Sequence, residues 1–118
     1  MARILVVDDA VFMRTRCGKI LRDAGHDVFE AGDGAEAVES FVALAPDVVL
    51  MDITMPTMDG ISALKEIVAK DPGARVIMVS AMGQQSMVME ALKAGAKEFV
   101  VKPYQPDQLM AAVQKVLG

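Results

Sequence analysis

Several residue types that often mark a protein's class are scarce in this sequence. Its 118 residues include one cysteine, Cys17, one histidine, His26, one tyrosine and no tryptophan. A single cysteine excludes an internal disulfide, and one cysteine with one histidine excludes a zinc centre built from them. The longest unbroken apolar runs, such as 41–45, have five residues, against the roughly 18 that a membrane-spanning helix needs. Acidic side chains outnumber basic ones by 16 to 12, which disfavours general binding to nucleic acids or anionic membranes.

The chain does have a large apolar fraction and enough length for one hydrophobic core. Hydrophobic residues make up 53% of the sequence and charged residues 24%, so we expect a packed interior and not a disordered chain. We expect one domain over residues 1–118, with no output domain. The first residues carry no signal-peptide pattern, so we expect a cytoplasmic protein. We also expect it to be monomeric.

Short apolar runs recur along the chain, with helical segments between them. The runs are rich in β-branched residues and do not alternate with polar ones, which is typical of strands buried on both faces of a parallel sheet. They are Ile4–Val7, Val48–Met51, Val76–Val79 and Phe99–Val101. The alternating segment Asp27–Ala31 predicts a fifth, edge strand. The sequence therefore predicts an α/β fold, a doubly wound (βα)5 chain with a parallel five-stranded sheet.

Polar side chains follow the buried strands at the points where the strands end. They are Asp8 and Asp9, Asp52, Ser80 and Lys102. Because the carboxyl ends of parallel strands line one edge of a sheet, we expect these side chains to meet in one site. Three neighbouring carboxylates favour a bound cation. Mg²⁺ suits such oxygen ligands, especially together with phosphate oxygens.

These residue types predict phosphoryl transfer to a carboxylate. Asp9 and Asp52 would ligate Mg²⁺ directly, and Asp8 would hold a metal-bound water. One oxygen of Asp52 would attack a phosphoryl group while Lys102 and the metal neutralise charge on the phosphoryl oxygens. Ser80 would donate a hydrogen bond to one of those oxygens. On its own, Asp9 would equally fit the N-cap of the first helix.

The same residues carry a resemblance to a known family. Asp8-Asp9, Met51–Pro56 with Asp59-Gly60, Ser80-Ala81 and Lys102-Pro103 stand in order and at matching spacing across the whole chain. The sequence resembles the receiver domain of two-component response regulators, and most of all the stand-alone chemotaxis receivers of the CheY type. The resemblance implies a flavodoxin/CheY-like fold with strand order 2-1-3-4-5.

The resemblance implies that Asp52 accepts a phosphoryl group from a histidine kinase. Mg²⁺ would be held by Asp9, Asp52 and the backbone carbonyl of Thr54, and Ser80 and Lys102 would contact the phosphoryl group. The peptide bond between Lys102 and its following proline would be cis. The protein would be a signalling switch and not an enzyme, because its only chemistry would be its own phosphorylation and dephosphorylation.

The resemblance also implies how the signal leaves the site. Ser80 would move toward the phosphoryl group, Phe99 would turn into the vacated space, and the face formed by the fourth helix, fifth strand and fifth helix would change its affinity for partners. Besides the kinase, the expected partners are a flagellar motor switch protein and a phosphatase. Thr54 and Met82 stand where the family tunes phosphoryl hydrolysis, and we expect Met82 to slow it by excluding water.

Other functions are weighed against this interpretation. A stand-alone receiver could instead pass its phosphoryl group to a histidine phosphotransfer protein in a phosphorelay, and the sequence alone does not separate the two. A flavodoxin-like electron carrier is disfavoured because Asp8 and Asp9 would repel the flavin phosphate. A phosphate hydrolase of the haloacid-dehalogenase type needs an acid two residues beyond the nucleophile, where Thr54 stands. A degenerate receiver used only for docking is disfavoured because every anchor residue is present.

Two further side chains carry simpler expectations. Cys17, at helical spacing, is predicted to be a buried small apolar residue and not a redox centre. His26 lies between a helix-ending glycine and the predicted edge strand. We therefore expect it to be solvated and to have no part in phosphoryl transfer.

Overall fold

A computed structural model describes residues 2–53, 59–81 and 85–118, and these fold as strands and helices in alternation. The strands are β1 (Arg3–Val7), β2 (Asp27–Ala31), β3 (Val48–Asp52), β4 (Val76–Ser80) and β5 (Glu98–Val101). The helices are α1 (Val11–Asp23), α2 (Gly34–Leu44), α3 (Gly60–Lys70), α4 (Gln85–Lys93) and α5 (Pro106–Leu117). Each predicted strand is confirmed to within one residue at either end. Among the described residues, no helix has the length and apolar character needed to cross a bilayer.

The five strands form one parallel sheet in the order β2-β1-β3-β4-β5. Alternate residues of a strand point to opposite faces of a sheet, and β1 shows the consequence. Leu5 packs with Leu64 of α3 on one face, in a core that also takes residues of α2 and α4. Ile4 packs with residues of α1 and α5, such as Leu109, on the other face. Both faces are apolar, which explains why the central strands read as unbroken hydrophobic runs, and the predicted doubly wound fold is confirmed.

Helix α3 begins close against the end of β3. Asp59 is its N-cap, and the Asp59 carboxylate accepts a hydrogen bond from the backbone N–H of Ser62 at 2.8 Å. The next residue, Gly60, donates its N–H to the carbonyl oxygen of Ile53 at 2.7 Å. A Cβ at position 60 would overlap the backbone of Asp52 and lie 2.7 Å from the Cα of Ile53. Only glycine therefore lets α3 start this near the strand that carries Asp52.

The two predictions about solvent exposure have different outcomes. Cys17 is buried at 6% exposure, as predicted. The prediction that His26 is solvated is wrong, because its exposure is 7%. The His26 N–H donates to the carbonyl of Leu21 at 3.1 Å, and its Nδ1 accepts a hydrogen bond from the N–H of Ala2 at 3.3 Å. The contact with Ala2 holds the imidazole against the residue that precedes β1, so a histidine between a helix end and an edge strand is buried all the same.

Candidate functional site

The predicted site residues lie together at the carboxyl ends of neighbouring strands. Asp8 follows β1, Asp52 ends β3, Ser80 ends β4 and Lys102 follows β5. Because β1, β3, β4 and β5 are neighbours in that order, residues far apart in the sequence meet at one edge of the sheet. The side chains are unusually enclosed for polar groups, with exposures of 6% for Asp8, 9% for Asp52 and 2% for Ser80.

Lys102 lies between two of the carboxylates. Its Nζ is 3.0 Å from Oδ2 of Asp8 and 3.4 Å from Oδ1 of Asp52. The other oxygen of Asp8, Oδ1, accepts a hydrogen bond from the backbone N–H of Ala10 at 2.9 Å. The ammonium therefore bridges the ends of β1 and β3. The sequence interpretation placed Lys102 on phosphoryl oxygens and did not foresee this bridge.

Three carboxylates form a cluster around that bridge. One oxygen from each of Asp8, Asp9 and Asp52 lies within 4.8 Å of the others. Asp9 is exposed, and it does not cap the following helix, because the N-cap of α1 is Ala10 and no side chain caps that end. The capping role considered for Asp9 is therefore not observed. An all-oxygen cluster of this kind fits a hard divalent cation, so the residues present could hold a metal.

The pKa values of Asp52 and Lys102 depend on burial and on the charges of their neighbours in the site. Burial raises the pKa of Asp52, the positive charge of Lys102 opposes that increase, and the negative charge of Asp8 adds to it. For Lys102, burial alone would lower the pKa. The hydrogen bond to Asp8 and the charges of Asp52 and Asp8 outweigh it, so that the pKa of Lys102 is raised. Lys102 thus stays protonated, and the Asp52 anion is less stable than it would be in water. Added positive charge near Asp52 would stabilise that anion.

Beneath the carboxylates the site is closed. Asp8, Asp52 and Lys102 border a cavity of about 20 Å³ together with Cys17 and Tyr104, which leaves space for about one water molecule. Burial raises the pKa of Cys17 to about 11, and Cys17 and Tyr104 share a hydrogen bond. The thiol is therefore neutral at physiological pH. Among the described members of the acidic cluster, Asp9 is the exposed one, so it faces a ligand that approaches from solvent.

Four other predicted residues have different outcomes. Ser80 is buried at the end of β4, and its carbonyl oxygen accepts the N–H of Lys102 at 2.8 Å. Phe99 is half-buried against the core that Leu5 and Leu64 share, and it borders a surface pocket between β5 and α5. Thr54 and Met82 lie outside the described residues, so their predicted roles stay predictions. The peptide bond between Lys102 and Pro103 is cis, as the resemblance implies.

The sequence interpretation gave no role to Arg14, which contacts the backbone of the site. Arg14 Nη1 donates to the carbonyl oxygen of Asp8 at 2.6 Å, and its Nε pairs with Oε1 of Glu30 at 2.9 Å. The only sequence signal is spacing. Arg14 lies in the first turn of α1, four residues after the N-cap Ala10, and helical side chains tilt toward the N-terminus, which is the end of α1 nearest to β1. The contact with Glu30 spans 16 residues and has no local signature.

Comparisons with known proteins agree with this geometry. A family model described as the response regulator receiver domain matches residues 4–114. The chain is 58% identical to the chemotaxis protein CheY of Bacillus subtilis over 117 residues, covering 98% of both chains. It is 56% identical to the CheY of Thermotoga maritima over 115 residues, covering 97% of this chain and 96% of that one. The solved structure of a CheX-CheY-BeF3-Mg+2 complex from Borrelia burgdorferi superposes with a TM-score of 0.96 at 39% identity, covering 99% of this chain and 90% of that one.

Proposed function

Because this chain belongs to the response regulator receiver family and is a phosphorylation-activated signalling protein of chemotaxis, we propose that Asp52 is its phosphoryl acceptor. The observation that carries the proposal is the ammonium of Lys102, which lies 3.4 Å from Oδ1 of Asp52 at the rim of an acidic cluster. Transfer of a phosphoryl group requires positive charge close to its oxygens. Lys102 is in position to supply part of it.

We propose that the cluster binds Mg²⁺. Asp9 and Asp52 would hold the ion directly, Asp8 would hold it through a water, and the Thr54 carbonyl would complete the protein ligands that the family resemblance implies. Two observations support this, namely the all-oxygen donor set and the Mg²⁺ named in the CheX-CheY complex. When bound, the ion neutralises charge on the phosphoryl oxygens.

The chain's own residues then carry out the transfer. A carboxylate oxygen of Asp52 forms the new O–P bond, the N–P bond of the donor phosphohistidine breaks, and the released imidazole keeps the electron pair and takes a proton from solvent. Lys102 exchanges its contact with the Asp52 carboxylate for the phosphoryl oxygens, and Ser80 donates to one of them. No general base is needed, because Asp52 is already an anion. We propose that the chain is a switch and not an enzyme, because its only chemistry would be its own phosphorylation and dephosphorylation.

The added charge connects the site to a partner surface. A phosphoryl group brings roughly −1.5 to −2 of charge at neutral pH, which draws Ser80 inward and lets Phe99 turn toward the space it leaves. Phe99, Val101 and Lys115 border one surface pocket between β5 and α5, so a turn of Phe99 changes that pocket directly. A flagellar motor switch protein would bind there, and a histidine kinase and a phosphatase would complete the partners. The phosphorelay alternative is not favoured, because relatives with 53–58% identity are chemotaxis proteins.

Affinity for the motor switch partner tests the proposal. A peptide from the flagellar motor switch protein is titrated against the protein before and after treatment with acetyl phosphate and Mg²⁺. We expect tighter binding after treatment for the parent and no change for Asp52→Asn. Equal affinity in both states of the parent would contradict the proposal, because a ligand that binds two states equally shifts no equilibrium.

A further inference from the structure

Arg14 joins the site backbone to the edge strand of the sheet. Its Nη1 donates to the carbonyl oxygen of Asp8 at 2.6 Å, its Nε donates to Glu30 Oε1 at 2.9 Å, and its side chain is only 18% exposed. Hydrogen bonds from a guanidinium are stronger than neutral ones. The planar guanidinium also holds two acceptors in a fixed relative geometry. The carbonyl of Asp8 and the carboxylate of Glu30 are thereby tied to one rigid group.

The peptide unit that accepts from Arg14 links two members of the acidic cluster. The carbonyl belongs to the Asp8–Asp9 peptide. The N–H of Asp8, which belongs to the preceding Val7–Asp8 peptide, donates to the carbonyl of Ala31 at 3.2 Å. Ala31 and Glu30 are neighbours in β2. The edge strand therefore holds the Asp8 backbone twice, once directly through Ala31 and once through Glu30 and Arg14.

Asp9 depends on that peptide more than its neighbours do. The Asp8 carboxylate is fixed by Lys102 and by the N–H of Ala10. In the part of the chain that the structure describes, no hydrogen bond or ion pair holds the carboxylate of Asp9. The position of Asp9 is therefore set by its backbone, which follows the plane of the Asp8–Asp9 peptide. We propose that Arg14 is a positioning residue, which fixes this peptide and so places Asp9 for Mg²⁺. The inference rests on the metal site proposed above.

An electrostatic role and a positioning role of Arg14 predict opposite changes in Mg²⁺ affinity when Arg14 is replaced. If its only effect were electrostatic, removing a positive charge beside three carboxylates would strengthen cation binding. If Arg14 positions Asp9, its removal loosens one ligand and weakens cation binding. Loss of a residue that orients a metal ligand commonly costs about 10- to 100-fold in affinity. The sign of the change in Mg²⁺ affinity therefore separates the two.

The chain offers a matched control on the same helix. Arg22 lies two turns along α1, and its Nη2 is 3.5 Å from Oε2 of Glu30 and 3.4 Å from the carbonyl of Val28. Arg22 shares the carboxylate partner of Arg14 but does not contact Asp8, and its side chain is half-exposed. Methionine at either position removes the charge and the donors while keeping an apolar stem of similar length.

The test is a calorimetric titration of the full chain with MgCl₂ alone. We expect the Mg²⁺ Kd of Arg14→Met to rise about 10-fold and that of Arg22→Met to stay within about twofold, since exposed charges are screened. Arg14→Lys should fall between Arg14→Met and the parent, because an ammonium keeps the charge and one bond but cannot hold both acceptors. Equal or tighter binding by Arg14→Met overturns the inference.

Two further measurements keep the outcome decisive. If Arg14→Met does not fold, Arg14→Gln replaces it, because this variant also removes the positive charge and cannot hold both acceptors, but keeps a polar end at the surface. We expect its Kd to rise severalfold, and an unchanged Kd would overturn the inference. A parent that binds no Mg²⁺ overturns the proposed metal site and the inference with it. A parent that binds Mg²⁺ while Arg14→Met binds equally well overturns the positioning role alone.

Discussion

The two edges of the sheet differ in how their polar groups are paired. At the amino edge, polar groups close the turns in pairs: the N–H of Arg3 donates to Oδ2 of Asp47 at 2.8 Å, and the N–H of Asp47 donates to the carbonyl of Arg3 at 2.7 Å. At the carboxyl edge, two buried carboxylates, Asp8 and Asp52, share the single ammonium of Lys102. One edge is balanced and the other has a surplus of negative charge.

This difference separates what the fold needs from what the function needs. A parallel sheet requires turns at both edges, and the amino edge shows that they can be closed without burying unbalanced charge. Buried carboxylates beside each other oppose folding, because each disfavours ionisation of the other. A buried carboxylate whose pKa is raised, as that of Asp52 is, is typical of functional sites. The carboxyl edge is therefore where stability is given up for the ability to bind a cation and a phosphoryl group.

Glycine replacements should have their largest effect at the carboxyl edge. We expect Gly60→Ala to lose about 3 kcal/mol of unfolding free energy, since its Cβ would overlap the Asp52 backbone. Gly95→Ala, at the amino edge, should lose about 1–2 kcal/mol, because its φ of +113° disfavours any Cβ. Gly73→Ala, with its nearest atom at 3.4 Å, should change stability by less than about 0.5 kcal/mol. Urea unfolding measures all three, and equal losses at positions 60 and 73 would contradict the close approach.

Replacing Lys102 should destabilise the protein, because the carboxyl edge then has buried negative charge and no ammonium to balance it. Lys102→Met leaves Asp8 and Asp52 enclosed without a positive partner. We expect it to lose about 2 kcal/mol of unfolding free energy at pH 7, somewhat less than for a fully buried pair. The loss should shrink at acidic pH, where the carboxylates are protonated in both proteins. A metal-free variant as stable as the parent at pH 7 would show that the surplus charge is tolerated without Lys102.

Neutralising one carboxylate should have the opposite sign. The pKa of Asp52 is raised in the folded protein, so the folded state holds this proton more tightly, and stability falls as pH rises above the ordinary carboxyl range. We expect the unfolding free energy of Asp52→Asn to exceed that of the parent by about 1 kcal/mol at pH 7 without metal. The gain should vanish as pH falls and the parent's Asp52 becomes protonated.

A surface carboxylate serves as the control for Asp52→Asn. Glu66 is exposed on α3, and Glu66→Gln should change stability by less than about 0.5 kcal/mol at any pH. Chemical unfolding from pH 4 to pH 8 measures both variants. An Asp52→Asn protein less stable than the parent at pH 7 would contradict the raised pKa.

The smallest effect is expected at the amino edge. Asp47→Ala removes the acceptor of the Arg3 N–H. Because this hydrogen bond is exposed, we expect a loss of about 0.5–1 kcal/mol of unfolding free energy. The Mg²⁺ affinity should stay unchanged, because the cluster lies at the other end of the strands. Thermal unfolding and calorimetry check the two halves of this prediction. A weaker Mg²⁺ affinity would contradict the view that the two edges act independently.

Much of this structure could be predicted from the sequence because the fold has a simple rule. Runs such as Val76–Val79 are apolar without alternation, which indicates a strand covered on both faces. A polar residue just after such a run, such as Ser80, then has to lie at the carboxyl edge. The strand positions and the meeting of the acidic residues with Lys102 follow from that rule without any knowledge of side-chain contacts.

What could not be predicted depends on contacts that cross the sheet. Lys102 and Asp8 are 94 residues apart, and no local pattern says that one ammonium bridges two carboxylates. In the sequence, Arg14 looks like an ordinary charged residue of an amphipathic helix, because its contact with Glu30 of the edge strand forms only in the fold. His26 lies between a helix-ending glycine and an edge strand, a position that predicts solvation, but in the fold its Nδ1 accepts from the N–H of Ala2 and the side chain is buried.

The central claim is that the charged edge accepts a phosphoryl group on Asp52 with the help of a metal. Intact mass after incubation with acetyl phosphate tests it most directly, with Mg²⁺ present, with the metal removed by chelation, and with Asp52→Asn. We predict a single phosphoryl adduct on the parent with Mg²⁺ and none in either control. An adduct of equal yield on Asp52→Asn, or no adduct on the parent with Mg²⁺, would contradict the account.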